Sequence, residues 1–232
     1  MLSRQLTIDG HFIGFREGSA ADAYAILMVN SIWYRMKKKD LEMGLEKVPR
    51  FKEPDPSLEQ YLTPASIAAD VLFNAYAAGD IKGLKIMDLG CGTGMLSFGS
   101  WMLGAGSVTG YDISQRAIDL AAAHAGSMGA DISFKLSDIN DVREKADTVV
   151  MNPPFGCQNR RADRDFLKKA MESAECVYSF HMAETLDFVK EFVRKNNREI
   201  VYNKMYKYEI PHTFTFHSKE KHSVDIVVVN IR

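Results

Sequence analysis

Cysteine is scarce in this chain: Cys91, Cys157 and Cys176 are the only three among 232 residues. None stands in a C-x-x-C pair, and three thiols cannot all pair within one chain. A disulfide scaffold and a zinc knuckle are therefore disfavoured, and a reducing compartment is expected. An excess of one charge is lacking too. The formal net charge is −1, so no global field draws in nucleic acid, and any such surface must be a local patch. No apolar run approaches the ~20 residues of a membrane span. The mildly apolar stretch Tyr24 to Trp33 is followed by no small-residue cleavage pattern, so a signal peptide is not expected. Internal repeats and low-complexity tracts are absent as well. What these absences leave is a cytoplasmic globular chain. Its hydrophobic fraction of 46% and charged fraction of 25% are ordinary for that class. The length suits one α/β domain with a sizeable core, with or without extensions.

Residues 1–35 show no clear turn-bounded periodicity. They read as a leader or extension ahead of Met36 as the natural initiator, or else as a genuine N-terminal helix. Residues 36–232 read as one domain. Leu41, Leu45 and Val48 share one side of an amphipathic helix after Met36. A proline-punctuated linker then runs to Pro64. Thr63-Pro64 predicts a helix start, with Thr63 as N-cap and Pro64 at the first helical position. Ile67, Val71, Leu72 and Ala75 form its apolar face, and Gly79 ends it. Strands and helices alternate from there, which predicts a mostly parallel sheet with helices on both faces. The last two strands, near Ile200 and Val227, have no helix between them and predict an antiparallel hairpin. A parallel sheet closed in this way is the pattern of class I S-adenosylmethionine-dependent methyltransferases, a Rossmann-like fold of seven strands.

The stretch from Met87 to Leu96 reads MDLGCGTGML. Asp88 falls at the carboxyl end of a strand, and Gly90, Cys91, Gly92 and Gly94 turn the chain into a helix. Glycines there admit close backbone approach by a ligand, and the helix start points N–H groups at it. Dinucleotide enzymes use similar turns. An acid two positions before the first glycine suits an ammonium group and would repel a pyrophosphate. The reading is therefore S-adenosylmethionine. Asp112, 22 positions beyond Gly90, suits two ribose hydroxyls. Asp138 suits the adenine amino group, with Ile113 and Ile139 as apolar walls. Each aspartate alone could be a solvated turn acid. All three fall at the ends of successive strands, where open α/β sheets bind ligands.

The fourth strand stops in Asn152-Pro153-Pro154-Phe155. Two prolines remove N–H donors and stiffen the loop. What remains is a wall of acceptors, the Asn152 side chain and the Pro153 carbonyl, suited to a planar amine. Two hydrogen bonds to that amine would aim its lone pair at the cofactor's methyl group. Phe155 offers a face for a flipped base. The bland alternative is a rigid turn with Phe155 as core filler.

These motifs resemble the amino-methyltransferases acting on adenine N6, and most closely the methyltransferase-like protein five family of rRNA methyltransferases. The shared stretches include LEQYLTP (Leu58 to Pro64), LGAG (Leu103 to Gly106), TVVMNPPFG, CVYSFH (Cys176 to His181) and the pattern from Phe216-His217 to Ile226. The resemblance covers about Met36 to Arg232. It implies that Gln60, Tyr61 and Thr63 lie over the cofactor's methionine part, and that Asn152 to Phe155 form the catalytic tetrad, with Asn152 also beside the cofactor. It further implies that Phe214, Phe216 and His217 belong to a target-recognition element, and that small-subunit rRNA is the substrate. A partner is implied too, a small zinc-binding activator protein shared among methyltransferases. The edge strand Ile132 to Leu136 is its expected dock.

Arg160, Arg161, Arg164, Lys168 and Lys169 follow the tetrad. Lys204, Lys207, Lys219 and Lys221 interleave with Tyr202, Tyr206 and Tyr208. Both sets fit single-stranded or flipped RNA, and both could equally be solvated faces. His212, His217 and His222 would alternate across a strand, so no metal site is read there. A glutamine-amide protein methyltransferase would need the same acceptor wall, though that family carries Tyr where Phe155 stands. DNA or tRNA adenine is a further alternative. A non-catalytic module is disfavoured because every ligand-side residue is intact.

Overall fold

The computed structural model describes residues 5–8, 11–14, 36–51, 55, 60, 62–155, 162–209 and 223–232. The chain divides into two compact units, Met1–Met36 and Lys37–Arg232. In the first, β1 (Gln5–Ile8) pairs antiparallel with β2 (His11–Gly14), with Ile8 opposite His11. This hairpin stands where the sequence reading found no turn-bounded element or a helix. Asp9-Gly10, between the strands in sequence, is a strong two-residue hairpin signal.

The second unit opens with α1 (Lys38–Leu45), which buries Leu41 and Leu45, with Val48 buried just beyond. Helix α2 (Ala65–Ala77) buries Ile67, Val71, Leu72 and Ala75. Its start differs from the expectation. Pro64 is the N-cap residue, in an extended conformation (φ −57°, ψ 136°), and the helix begins at Ala65. Thr63 does not cap, because its hydroxyl is engaged with the loop after the fourth parallel strand.

Then follow β3 (Lys85–Leu89), α3 (Met95–Met102), β4 (Ser107–Asp112), α4 (Gln115–Met128), β5 (Ser133–Leu136), β6 (Thr148–Met151) and α5 (Ala162–Ser173). After them come β7 (Cys176–Met182), α6 (Leu186–Lys195), β8 (Ile200–Glu209) and β9 (Ser223–Ile231). The sheet order is β5-β4-β3-β6-β7-β9-β8. The strands from β5 to β7 are parallel, while β9 runs antiparallel to both β7 and β8. Strand β8 therefore points the same way as β6. Strands β3 and β6 are almost wholly buried, as expected of a parallel sheet covered on both faces.

Leu167, Ala170, Val189 and Val193 of α5 and α6 join Leu89, Met151, Val177 and Val227 in one core cluster. Leu41, Leu45, Leu72 and Phe98 of α1, α2 and α3 are also fully buried. Ser114 caps α4 as its sequence position predicts, its hydroxyl accepting from the Ala117 N–H at 3.4 Å. At the amino-terminal edge of the parallel strands, Asp80 accepts from the Tyr178 hydroxyl (2.6 Å) and from Arg232 (2.8 Å). That clasp leaves the opposite edge, the carboxyl ends of β3, β4 and β6, for chemistry. The strand order reverses between β3 and β6, which is where such sheets open a crevice. Among the described residues no helix is long and apolar enough to cross a membrane.

Candidate active site

The glycine loop joins β3 to α3. Gly90 (φ 69°) and Gly94 (φ 95°) both adopt backbone conformations that side chains disfavour. A Cβ on Gly90 would also lie 3.0 Å from Phe166 of α5, and one on Gly94 would lie 2.9 Å from Phe98. The N–H groups of Gly90 and Cys91 donate to the Tyr111 carbonyl, at 2.8 and 2.9 Å, and pin the loop to β4. The Cys91 side chain is buried, and its Sγ would sit 2.9 Å from a Cβ on Gly110. Burial, with Asp88 and Asp112 nearby, pushes this thiol well above its usual range.

Asp88 is buried at the end of β3 and accepts a 2.6 Å hydrogen bond from the Ser97 hydroxyl of α3. Burial, helped by the Asp112 charge, raises its pKa to about 7 against the bonds from Ser97. Asp112 ends β4. Its two oxygens accept from the Gly92 N–H (2.8 Å) and the Ser114 N–H (2.9 Å). Its pKa also rises with burial, partly offset by those backbone donors. Two desolvated carboxylates thus flank the loop, an environment that gains from an incoming cation. Next to Asp112, Ile113 is 59% exposed, an apolar face beside a polar pocket. Asp138 begins a short 3-10 turn (Ile139–Asp141), and one of its oxygens already accepts from the Asn140 N–H at 2.8 Å. Ile139 packs part-buried against the core cluster.

Asn152 follows β6, with Pro153 buried and Pro154 and Phe155 half-buried. Its Nδ2 donates to Thr63 Oγ1 at 2.9 Å, across 89 positions of sequence. Its Oδ1 is buried with no hydrogen-bond partner, and Thr93 Oγ1 of the glycine loop shares that condition. A buried acceptor left unmatched costs about 1–3 kcal/mol, so such groups call for a partner from outside the chain, water or ligand. Beside β6, Ser179 pairs with Met151, and its hydroxyl lies 2.7 Å from Nε2 of buried His181. Burial drives the His181 pKa down to about 3, which keeps the ring neutral.

The structure thus gathers Thr63, Asp88, Gly90, Gly92, Asp112, Ile113 and Asn152 along one sheet edge. Gln60 stands apart in one respect: its side-chain oxygen accepts from the Asp55 N–H at 2.9 Å. Tyr61, Arg160, Arg161, Phe214, Phe216 and His217 lie outside the described residues. Ser97 and Phe166 were not singled out from sequence. Helix spacing from Gly94 could have flagged Ser97 as third in its helix, whereas nothing local marks Phe166.

Residues 80–229 match a family described as a methyltransferase domain. An rRNA N(6)-adenosine-methyltransferase, METTL5 of Danio rerio, is 36% identical over 213 residues, covering 85% of this chain and 98% of the relative. An uncharacterized protein of Methanocaldococcus jannaschii is 36% identical over 208 residues, covering 84% of this chain and 94% of the relative. The crystal structure of a proposed RNA methyltransferase from Pyrococcus horikoshii superposes with a TM-score of 0.79 at 36% identity, over 85% of this chain and 98% of that one. The site suits the cofactor of such enzymes. Asp88 and Asp112 are desolvated carboxylates, which gain from a cation or a hydrogen-bond donor, and Ile113 is an exposed apolar face, a chemistry that fits a group carrying an ammonium, hydroxyls and an aromatic ring. The chain belongs to the METTL5 family of class I methyltransferases, which use S-adenosylmethionine.

Proposed function

We propose that this enzyme methylates the N6 amino group of an adenosine in RNA, and specifically in small-subunit rRNA of the cytoplasm. The observation that carries the reading is the buried, partnerless Oδ1 of Asn152. Thr63 holds the amide's N–H₂ end, so the carbonyl end is the one left for an incoming donor. An adenine amino group supplies that donor. Its second hydrogen suits the Pro153 carbonyl. With both hydrogens bonded, the nitrogen is drawn out of conjugation and its lone pair is freed for attack. S-adenosylmethionine, when bound, supplies an electrophilic methyl group. The proton lost after transfer is acidic, so no strong general base is needed. Phe155 gives the extruded base a stacking face.

Incubation with labelled S-adenosylmethionine and separate pools of cellular RNA, DNA and protein tests this. Label in N6-methyladenosine of small-subunit rRNA is expected. Label confined to protein glutamine would transfer the same acceptor geometry to a different substrate and end the RNA reading.

Asp88 has a measurable signature in this scheme. Its folded pKa of about 7 stands above the ordinary 3.8, so below pH 7 the buried carboxyl is largely neutral. Affinity for the cationic cofactor is then expected to rise with pH, by at most about tenfold per unit below 7, and to level above it. A decline above about pH 8 belongs to the ligand's own α-amino group, whose pKa is about 8. Titration calorimetry over this range should show both limbs. Asp88→Asn should lose only the lower one, and a lower limb that survives the substitution would rule Asp88 out. Because the folded pKa is raised, the carboxyl's contribution to stability is full below 3.8 and is lost as pH rises through about 7.

The activator dock is proposed at β5. This short edge strand pairs only with β4 among the described residues, and its Leu136 is 52% exposed. Adding the activator should raise both thermal stability and cofactor affinity. If neither moves, the dock is wrong.

A further inference from the structure

We propose that Lys38 and Lys204, brought together on Asp70, form a phosphate-binding station for the substrate RNA, with Tyr202 beside them as a base-stacking platform. The inference rests on the reading of RNA as substrate and deepens it.

Asp70 of α2 receives Lys38 of α1 at 2.8 Å on one oxygen and Lys204 of β8 at 2.6 Å on the other. The Tyr206 hydroxyl donates to the second oxygen at 2.7 Å. Burial alone would raise the carboxyl's pKa, but the bonds from Lys204, Lys38 and Tyr206 outweigh it and hold the value at about 2. Asp70 therefore stays charged, and one anion faces two cations. The cluster keeps a surplus positive charge. The lysine side chains are 50% and 41% exposed, against 17% for Asp70, so the surplus faces water. Lys37 and Lys39 flank Lys38 and are exposed too.

A clamp between α2 and β8 would need only one lysine, and exposed ion pairs stabilise little. The second cation asks for another anion. The position suits a phosphodiester of the substrate. Helix α2 starts two residues beyond Thr63, the partner of Asn152, and at 1.5 Å per residue Asp70 lies roughly 7.5 Å along it from Ala65. Lys204 of β8 is in register with Val228 of β9 and through it with Phe180 of β7, one residue beyond the partner of Met151, so it stands level with Asn152, three strands away. On β8, Tyr202 is 47% exposed and lies two residues from Lys204 on the same face, about 7 Å away. A cation level with an acceptor built for a base, with an aromatic two residues behind it on the same strand, matches how single strands are held.

The test uses the full chain and a fluorescein-labelled oligoadenylate, with anisotropy measured over a salt series. The double variant Lys38→Gln/Lys204→Gln should bind about tenfold more weakly at low salt. Its log-affinity against log-salt slope should fall by about 1.4, or 0.7 for each lost contact. Asp70→Asn breaks the clamp but frees both lysines, so its affinity should hold or rise. Tyr202→Ala should lose about fivefold or more at every salt concentration, since stacking is not screened. If Asp70→Asn and the double lysine variant lose thermal stability while affinity and slope stay at wild-type values, the cluster is only a clamp and the station is overturned. A wild-type enzyme that binds no oligoadenylate and labels no RNA overturns the RNA reading along with it. Wild-type transfer to RNA with an unchanged slope in the double variant overturns the station alone.

Discussion

Replacing Asn152 by alanine is expected to leave S-adenosylmethionine binding within a few fold and to lower kcat by about 100- to 1,000-fold, the loss typical of one preorganised transition-state hydrogen-bond partner. The amide is the only component of the proposed acceptor pair that a substitution can remove, since the other is a backbone carbonyl. The amide oxygen is buried, and no group of the described residues bonds it. The cost of desolvating it is thus met during folding, before substrate arrives, and the interaction strengthens only as the target amine rehybridises. That is why the effect should fall on kcat with little change in KM. Asn152→Asp keeps an acceptor at the same place, and the Thr63 hydroxyl can donate to it, so part of the rate should survive. Single-turnover transfer to rRNA, alongside calorimetric cofactor binding, separates these effects. Near-normal turnover in the alanine variant would show that the acceptor wall does not orient the amine.

How much of this was legible in sequence varies with the range of the interaction. The strand–helix alternation was readable because each element carries its own period, and buried β3 and β6 are short apolar runs as a covered parallel sheet requires. The Ser114 cap was readable for the same reason, since its partner Ala117 is three residues away. Asp9-Gly10 is an equally local signal, and the hairpin of the first unit forms on either side of it although its flanks carry no clear hydrophobic period. Thr63 is different. The pair Thr-Pro ahead of an apolar period is a sound cap signal, yet the hydroxyl went to a partner 89 positions away. Lys38 shows the same limit. From sequence it was one of three consecutive lysines on a solvated helix start, while its meeting with Lys204 depends on Asp70, 32 positions on in α2. Local rules identify which groups carry chemistry, and tertiary packing decides which of them meet.

Thr63→Val puts the first of these long-range contacts to the strictest test. Valine keeps the shape and β-branching of threonine, so the buried site should not collapse, but the Nδ2 end of Asn152 loses its acceptor. A buried N–H₂ without a partner costs about 1–3 kcal/mol. The amide can relieve that cost by rotating, which would turn its donors toward the substrate amine. Two donors then face each other, and the productive orientation becomes a minor population. A penalty of about 1.4–2.7 kcal/mol on reaching it corresponds to a kcat some 10- to 100-fold lower. KM for RNA should change little, because Thr63 acts on the target amine through Asn152, and cofactor affinity measured alongside reports separately on the place expected for Thr63 beside the cofactor's methionine part. Thr63→Ser restores the hydroxyl and should recover most of the rate. If valine and serine variants were equally impaired, packing rather than the hydrogen bond would be the cause. The Thr63→Val/Asn152→Ala double variant completes the cycle: if Thr63 works only by fixing that amide, the valine change should cost nothing further once the amide is gone.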